Sequence, residues 1–204
     1  ARGANGVILI TTKKGEAGKP TVNVNYYHLF GELAHKLRTT SANELRLYRE
    51  LRGDANYGGD VDSVQFYRNQ DNDYQDLLFR TANKDVISLT LSGGAKGLSY
   101  FAGATYTHDQ SIVVNSWLRR IQSRINISYQ ASPKLSVTNN MSFAYTKDNM
   151  VPVGNTAKVV FDRNPWTSIY NPDGSFNSYI ESKRNPVQQA YLNINEDQDF
   201  VVQN

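Results

Sequence analysis

Residues Arg119–Thr146 read RRIQSRINISYQASPKLSVTNNMSFAYT, two alternating runs joined at Ser132–Pro133–Lys134. In the first run Ile121, Ser123, Ile125, Ile127 and Tyr129 share one parity, while Arg120, Gln122, Arg124, Asn126, Ser128 and Gln130 take the other. In the second, Leu135, Val137, Met141, Phe143 and Tyr145 alternate with Ser136, Thr138, Asn140, Ser142 and Thr146. A strand sends successive side chains to opposite faces, so this pattern predicts a hairpin with one apolar and one polar face. Pro133 has no N–H to give a ladder, which places it in the turn.

The same rhythm recurs along the chain. Val22, Val24, Tyr26, His28 and Phe30 alternate with polar neighbours in a first long strand. Ile87, Leu89 and Leu91 mark a second, Gly93–Gly97 a tight turn, and Tyr100–Tyr106 a third strand. Between the first two, residues 31–85 lose the rhythm. Ser41 and Glu44 form an S-x-x-E capping box there, with Leu45, Tyr48 and Leu51 at helical spacing, so a short helix is predicted over Ala42–Arg52. Gly53–Asp76 reads as a long polar loop, and loops of such length tend to be functional. Residues 108–118 and 147–185 read as further loops, the latter carrying Asn171–Pro172–Asp173–Gly174 and Arg184–Asn185–Pro186 turn signals. A sixth strand with weaker alternation is expected from about Gln189 onward.

Short and long connections thus alternate. An up-and-down sheet of this kind carries tight turns at one end and long loops at the other. That asymmetry, with tyrosines near strand ends, matches an outer-membrane barrel. A soluble up-and-down sheet or sandwich shares the alternation but has less reason to segregate its loops.

Composition bounds the function. The chain has 204 residues, a net charge of +3 and 20% charged residues, too balanced for a nucleic-acid-binding protein. It has no Cys, which removes disulfides, thiolate zinc sites and a cysteine nucleophile. The longest apolar run, Val7–Ile10, is far short of the roughly 20 residues of a spanning helix. A mean hydropathy of −0.55 argues against a helical membrane protein. It says little about a barrel, where only alternate residues meet lipid. Beginning at Ala1–Arg2–Gly3 without Met, the chain reads as a mature or excised segment.

No catalytic set stands out, and the expectation is a protein that is not an enzyme and needs no cofactor. His28, His35 and His108 are far apart in sequence. Asp71, Asp73 and Asp76 lack the Gly and the bidentate Glu of a calcium loop, which favours ordinary loop solvation. Gly3–Gly6 resembles a phosphate loop only superficially, since no G-K-[ST] follows. The outer-loop aromatics Trp166, Tyr170, Phe176 and Tyr179 sit beside Asn, Asp and Ser, a mixture suited to stacking on sugars or holding peptides. Loop packing or an aromatic girdle is the alternative reading, and it is preferred for Trp117.

The opening stretch ARGANGVILITTKKG resembles the end of the plug domain of TonB-dependent outer-membrane transporters, with Gly3, Asn5 and Gly6 in its turn. Beyond it the chain resembles the SusC/RagA branch. The features are Ser41–Ala42–Asn43–Glu44–Leu45, Asp73–Tyr74–Gln75–Asp76 with Phe79–Arg80–Thr81, and Ser88–Leu89–Thr90–Leu91–Ser92–Gly93–Gly94. Tyr100 through Tyr106, Asp109–Gln110, Ile112–Val113, Asn115–Ser116, Arg120 and Asn185–Pro186 continue the series. The branch usually has Trp where Tyr74 stands and Gly where Ser111 stands, so loop conformations are expected to differ.

The resemblance implies an all-β fold: an antiparallel up-and-down transmembrane β-barrel, present in part, with the last plug strand at residues 1–15. Residues 16–204 would be the N-terminal part of the barrel, with extracellular loops 31–85, 108–118 and 147–185. Transporter barrels have about 22 strands, so six would leave bare edges. A longer protein is therefore expected. Its implied activity is TonB-dependent import of an oligosaccharide or peptide across the outer membrane of a Gram-negative cell. The implied partners are a SusD-like surface lipoprotein, the TonB complex through parts outside this stretch, and outer-membrane lipid. Ile121, Ile125, Ile127, Val137, Met141 and Phe143 would face lipid. A siderophore or cobalamin receptor shares the architecture, and a soluble β-sheet binding or adhesion module is the rival from another class.

Overall fold

The computed structural model describes residues 18–53, 70–151, 158, 160–180, 183–192 and 196–203. The plug-end stretch 1–15, with Gly3, Asn5 and Gly6, lies outside them. Strands β1 (Gly18–Gly31), β2 (Ala82–Ala95), β3 (Leu98–Gln110), β4 (Trp117–Ser132) and β5 (Leu135–Asn149) form consecutive antiparallel neighbours. A small ribbon follows, β6 (Tyr179–Ile180) with β7 (Lys183–Arg184). Strand β8 (Glu196–Gln203) then returns to the main sheet beside β5, giving the order β1-β2-β3-β4-β5-β8. Helices α1 (Ala42–Leu51), α2 (Tyr74–Leu78) and α3 (Pro186–Leu192) lie in the connections.

The quoted hairpin is β4 and β5, with Ser132 opposite Leu135 across Pro133–Lys134. The β2–β3 turn is equally tight, with Ala95 opposite Leu98. Gly97 there has φ 79°, and a Cβ on it would stand 3.0 Å from the Gln130 carbonyl oxygen. That close approach is used: the Gln130 N–H donates to the Gly97 carbonyl at 2.6 Å, tying the two short turns side by side.

Register decides which residues share a face. Tyr26, Ile87, Tyr106, Ile121, Tyr145 and Phe200 form one row across the sheet. Val24, Leu89, Ala104, Ser123, Phe143 and Val202 form the next, and Val22, Leu91, Ala102, Ile125 and Met141 a third. This apolar face is open: Val24 is 66% exposed, Ile125 38% and Val137 55%. The opposite face is knitted by polar side chains. Arg120 Nε donates to Thr146 Oγ1 at 3.0 Å, Arg124 Nε to Asn126 Oδ1 at 3.2 Å, and Lys84 pairs with Asp109 at 2.8 Å.

Neither face contains the hydrophobic core. Among the described residues that core is Tyr74, Leu78, Val113, Val114, Val151, Val160, Ile169, Val187 and Ala190, all drawn from the connections at the long-loop end.

Several boundaries differ from the sequence reading. Strands run 13–16 residues in β2–β5, because the ladder continues past the apolar stretch into polar rows. The connections therefore shrink to 32–81, 111–116 and 150–195. The middle one is short, and the contrast with the turns at 96–97 and 133–134 rests mainly on the other two. Helix α2 stands where a polar loop was expected, because Asp73 caps Gln75 N–H at 2.8 Å. The sixth strand begins at Glu196 and not near Gln189. Residues 186–192 are helical because Asn185 caps them and Pro186 sits at the first helical position, where its missing N–H costs nothing.

Valine at position 97 would force a β-branched residue to positive φ and press on the neighbouring strand. Gly97→Val in the full-length protein folded into lipid vesicles is expected to lose about 1–2 kcal/mol of stability, read by denaturant titration.

Candidate functional site

Helix α1 forms where the capping box foretold. Glu44 N–H donates to Ser41 Oγ at 3.2 Å, and Ser41 N–H returns to Glu44 Oε2 at 2.9 Å. The Ser41 N–H and the Arg38 guanidinium, 2.7 Å from the other oxygen, hold the Glu44 carboxyl below its ordinary value. Asp71 accepts from Ala42 N–H at 2.8 Å, which joins the start of α1 to the segment before α2. Asp76 pairs with Lys36. The three aspartates of the suspected calcium loop thus serve separate structural bonds, and no group of His, Asp or Glu among the described residues is placed to hold a metal.

The loop platform is assembled by side chains that satisfy distant backbone. Arg80 donates from Nε to the Ser111 carbonyl and from an Nη to the Ser116 carbonyl, each at 3.1 Å. Together with the Arg80 N–H to the Ile112 carbonyl at 2.7 Å, this clamps segment 111–116. Asn115, at φ 58°, donates to the carbonyls of Ala190 and Tyr191 and so holds the end of α3. Asn185 is fully buried. It donates to the Ile169 and Asn177 carbonyls at 2.9 and 2.8 Å and accepts from the amides of Val187 and Gln188 at 3.0 and 3.2 Å. The substituted motif positions fit this frame. Tyr74 is buried in the core, and Ser111 Oγ accepts from Val113 N–H at 3.3 Å.

The candidate contact aromatics separate. Tyr170 and Phe176 stack with centroids 5.1 Å apart, and Tyr191 lies 6.2 Å from Phe176. Tyr170 and Tyr191 are exposed, so this trio forms an aromatic patch. Tyr179 stands apart at a shallow cavity of about 390 Å³ with Arg184, Gln188 and Leu192. Trp166 is only 3% exposed and lies beneath the Arg49 guanidinium, 5.1 Å from its ring centroid, so in this conformation it packs the loop. Trp117 shares the apolar side of the sheet with Arg119, 5.0 Å above its ring.

One pairing escaped the sequence. His28 and His108, distant along the chain, flank Asp85 in one row, with His28 Nδ1 at 2.8 Å from its carboxylate. Parity places each on the apolar side, but only register could align them.

Comparison with known proteins places this arrangement. No family model matches the chain. The RagAB peptide importer in its "open-open" state superposes with a TM-score of 0.68 at 20% identity, over 92% of this chain and 26% of that one. Its "closed-closed" state gives 0.66 at 21% identity, over 92% and 26%. At that identity the likeness concerns the fold. The TonB-dependent receptor SusC of Bacteroides thetaiotaomicron is 29% identical over 233 residues, 98% of this chain and 22% of SusC. The chain belongs to the SusC/RagA type of TonB-dependent receptors. Receptor P26 of Formosa agariphila is 30% identical over 211 residues, and P39 of the same organism 26% over 202 residues. This SusC/RagA-type chain spans about one fifth of the length of these relatives, 20% in P39 and P26. Its sheet is part of an outer-membrane β-barrel.

Removing the Asn185 amide would strand two carbonyls and two N–H groups inside the platform. Asn185→Ala is expected to cost about 2–3 kcal/mol locally, seen as faster hydrogen exchange in 169–192 with sheet amides unchanged. The Glu44 box titrates in a defined direction. Its folded pKa lies below 4.5, so its contribution is complete above that value and disappears as pH falls through the folded value. The protection factors at the α1 N-terminus, exchange rates corrected for the intrinsic pH dependence, should therefore fall on acidification, and in Glu44→Gln they should already be low at pH 7.

Proposed function

We propose that this chain forms part of the wall and outer platform of an importer that brings an oligosaccharide or peptide across the outer membrane. The observation that carries this is the division of apolar surface. The sheet leaves an apolar face open along its strands, while the buried core sits in the loops beyond one end. A water-soluble domain would cover that sheet face with another layer, since exposing it forfeits about 25 cal/mol per Å². In a membrane lipid covers it. Ile121, Ile125, Ile127, Val137, Met141 and Phe143 then contact acyl chains, and Arg120, Arg124 and Asn126 face the lumen. The short turns at Lys96–Gly97 and Pro133–Lys134 face the periplasm and the loop platform faces outward.

On this reading residues 1–15 are the plug tail, with Gly3, Asn5 and Gly6 in its turn, and residues 16–204 are barrel. The platform faces the incoming nutrient and a SusD-like surface lipoprotein. Tyr170, Phe176 and Tyr179 are the ligand or partner contacts, while Trp166 supports them from within. Energy arrives from the TonB complex through parts of the protein outside this chain. The names SusC and RagAB peptide importer among its relatives support the class of activity.

A depth series tests the reading. Ile125→Arg, midway along β4, is expected to cost about 2–4 kcal/mol, and Leu135→Arg at the short-turn end about 0–1 kcal/mol, in full-length protein unfolded from lipid vesicles. Equal costs at both depths, or a full-length product that stays monomeric in water without detergent, would sink the proposal.

A further inference from the structure

Beside α1 lies a half-enclosed cavity of about 380 Å³, bounded by the residues leading into α1, the start of α2 and segment 160–165. Its polar lining includes Arg38, Thr39, Thr40, Asn72 and Arg163. Arg163 is the anomaly. Its Nε is buried without a hydrogen-bond partner, and none of the described ion pairs includes it. Arg163 as a whole is half-buried, and its Nε is held out of water without an acceptor, which is costly; a planar carboxylate is the partner its fork fits best.

The protein does not supply that carboxylate among its described residues. Glu44 is taken by Ser41 N–H and Arg38, Asp71 by Ala42 N–H, and Asp73 by Gln75 N–H. Asp162, next in sequence, is exposed and makes no ion pair with Arg163. The rest of the lining suits a hydroxylated ring. Thr39 and Thr40 offer hydroxyls, and Phe161, 53% exposed, offers an aromatic edge or face. The volume falls at the lower end of small-molecule sites, roughly 300–1,000 Å³, enough for a terminal unit of an oligomer.

We infer that this cavity binds the carboxylate of an acidic sugar, a uronate unit of the imported oligosaccharide, with Arg163 as its counter-ion. The inference rests on the import reading and narrows its substrate class. Thr39 and Thr40 orient the ring, and Arg38 stays with Glu44 at the cavity mouth.

The test is calorimetric titration of the full-length protein in detergent with trigalacturonate, with a neutral trisaccharide and with triglutamate. Trigalacturonate is expected to bind, to weaken at least tenfold in Arg163→Gln, to recover partly in Arg163→Lys and to weaken with added salt. The neutral sugar should bind at least tenfold more weakly than trigalacturonate and be insensitive to these changes. Should Arg163→Gln fail to fold, judged by heat-modifiable gel mobility, Thr39→Val together with Arg163→Lys replaces it, with a several-fold loss expected. Equal affinity of wild type and variant for trigalacturonate, no binding of it, or tighter binding of the neutral sugar or of triglutamate overturns the site. The two readings fail separately. A protein that inserts into the outer membrane and imports a neutral oligosaccharide without dependence on Arg163 refutes this site and leaves import standing. Absence from the outer membrane refutes both.

Discussion

The antiparallel hydrogen-bond ladder from β1 to β8 is the interaction on which the rest of the molecule depends. In a water-soluble sheet the ladder and a buried face share the work of stability. Here the apolar face is open, and the polar face is joined by its own side chains. The backbone pairing therefore has to hold geometry across strands of 13–16 residues without a second layer. In hydrocarbon that demand is absolute, because an unpaired backbone group there costs several kcal/mol. Tight turns serve this ladder. Gly97 and Pro133 set the registers from which each apolar row follows, and a slip of one residue would carry Ile125 and Met141 to the polar face.

Charge follows the same division. Between Val86 and Lys147 the sequence contains a single acidic residue, Asp109, at the loop end of β3. Three carboxylates at that end are paired across strands: Asp85 with His28, Asp109 with Lys84, and Glu196 with Lys147. The short-turn end carries Lys96 and Lys134 with no acid on those turns. A sheet whose middle is free of carboxylates avoids leaving an anion in a medium that cannot solvate it, and its ion pairs mark the rim where water begins.

Beyond the rim the chain changes strategy and behaves like a small globular protein. Leu78, Val113 and Val187 are fully buried among loops, and Arg80, Asn115 and Asn185 answer carbonyls that no strand reaches. This platform has rigidity of its own, so aromatic residues such as Tyr170 and Phe176 and a cavity beside Arg163 are held in place by packing. Binding residues on such a scaffold lose less freedom when a ligand arrives.

The sequence by itself determined the strands, their two faces, the tight turns and the capped helix α1, because each depends on neighbours within a few positions. It also carried the family, through motifs spread along the chain. What it could not show was decided by contacts between segments far apart. Gln189 looked like the start of a strand until Asn185 and Pro186 proved to begin a helix anchored to Ile169 and Asn177. Trp166 read equally as ligand contact or packing, and Arg49 from α1 covers it. His28 and His108 met at Asp85 only through register, and Arg163 acquired its significance only when Glu44, Asp71 and Asp73 were found bonded elsewhere. Alternation is a local property of a strand. Burial and electrostatic neutrality are properties of the assembled fold.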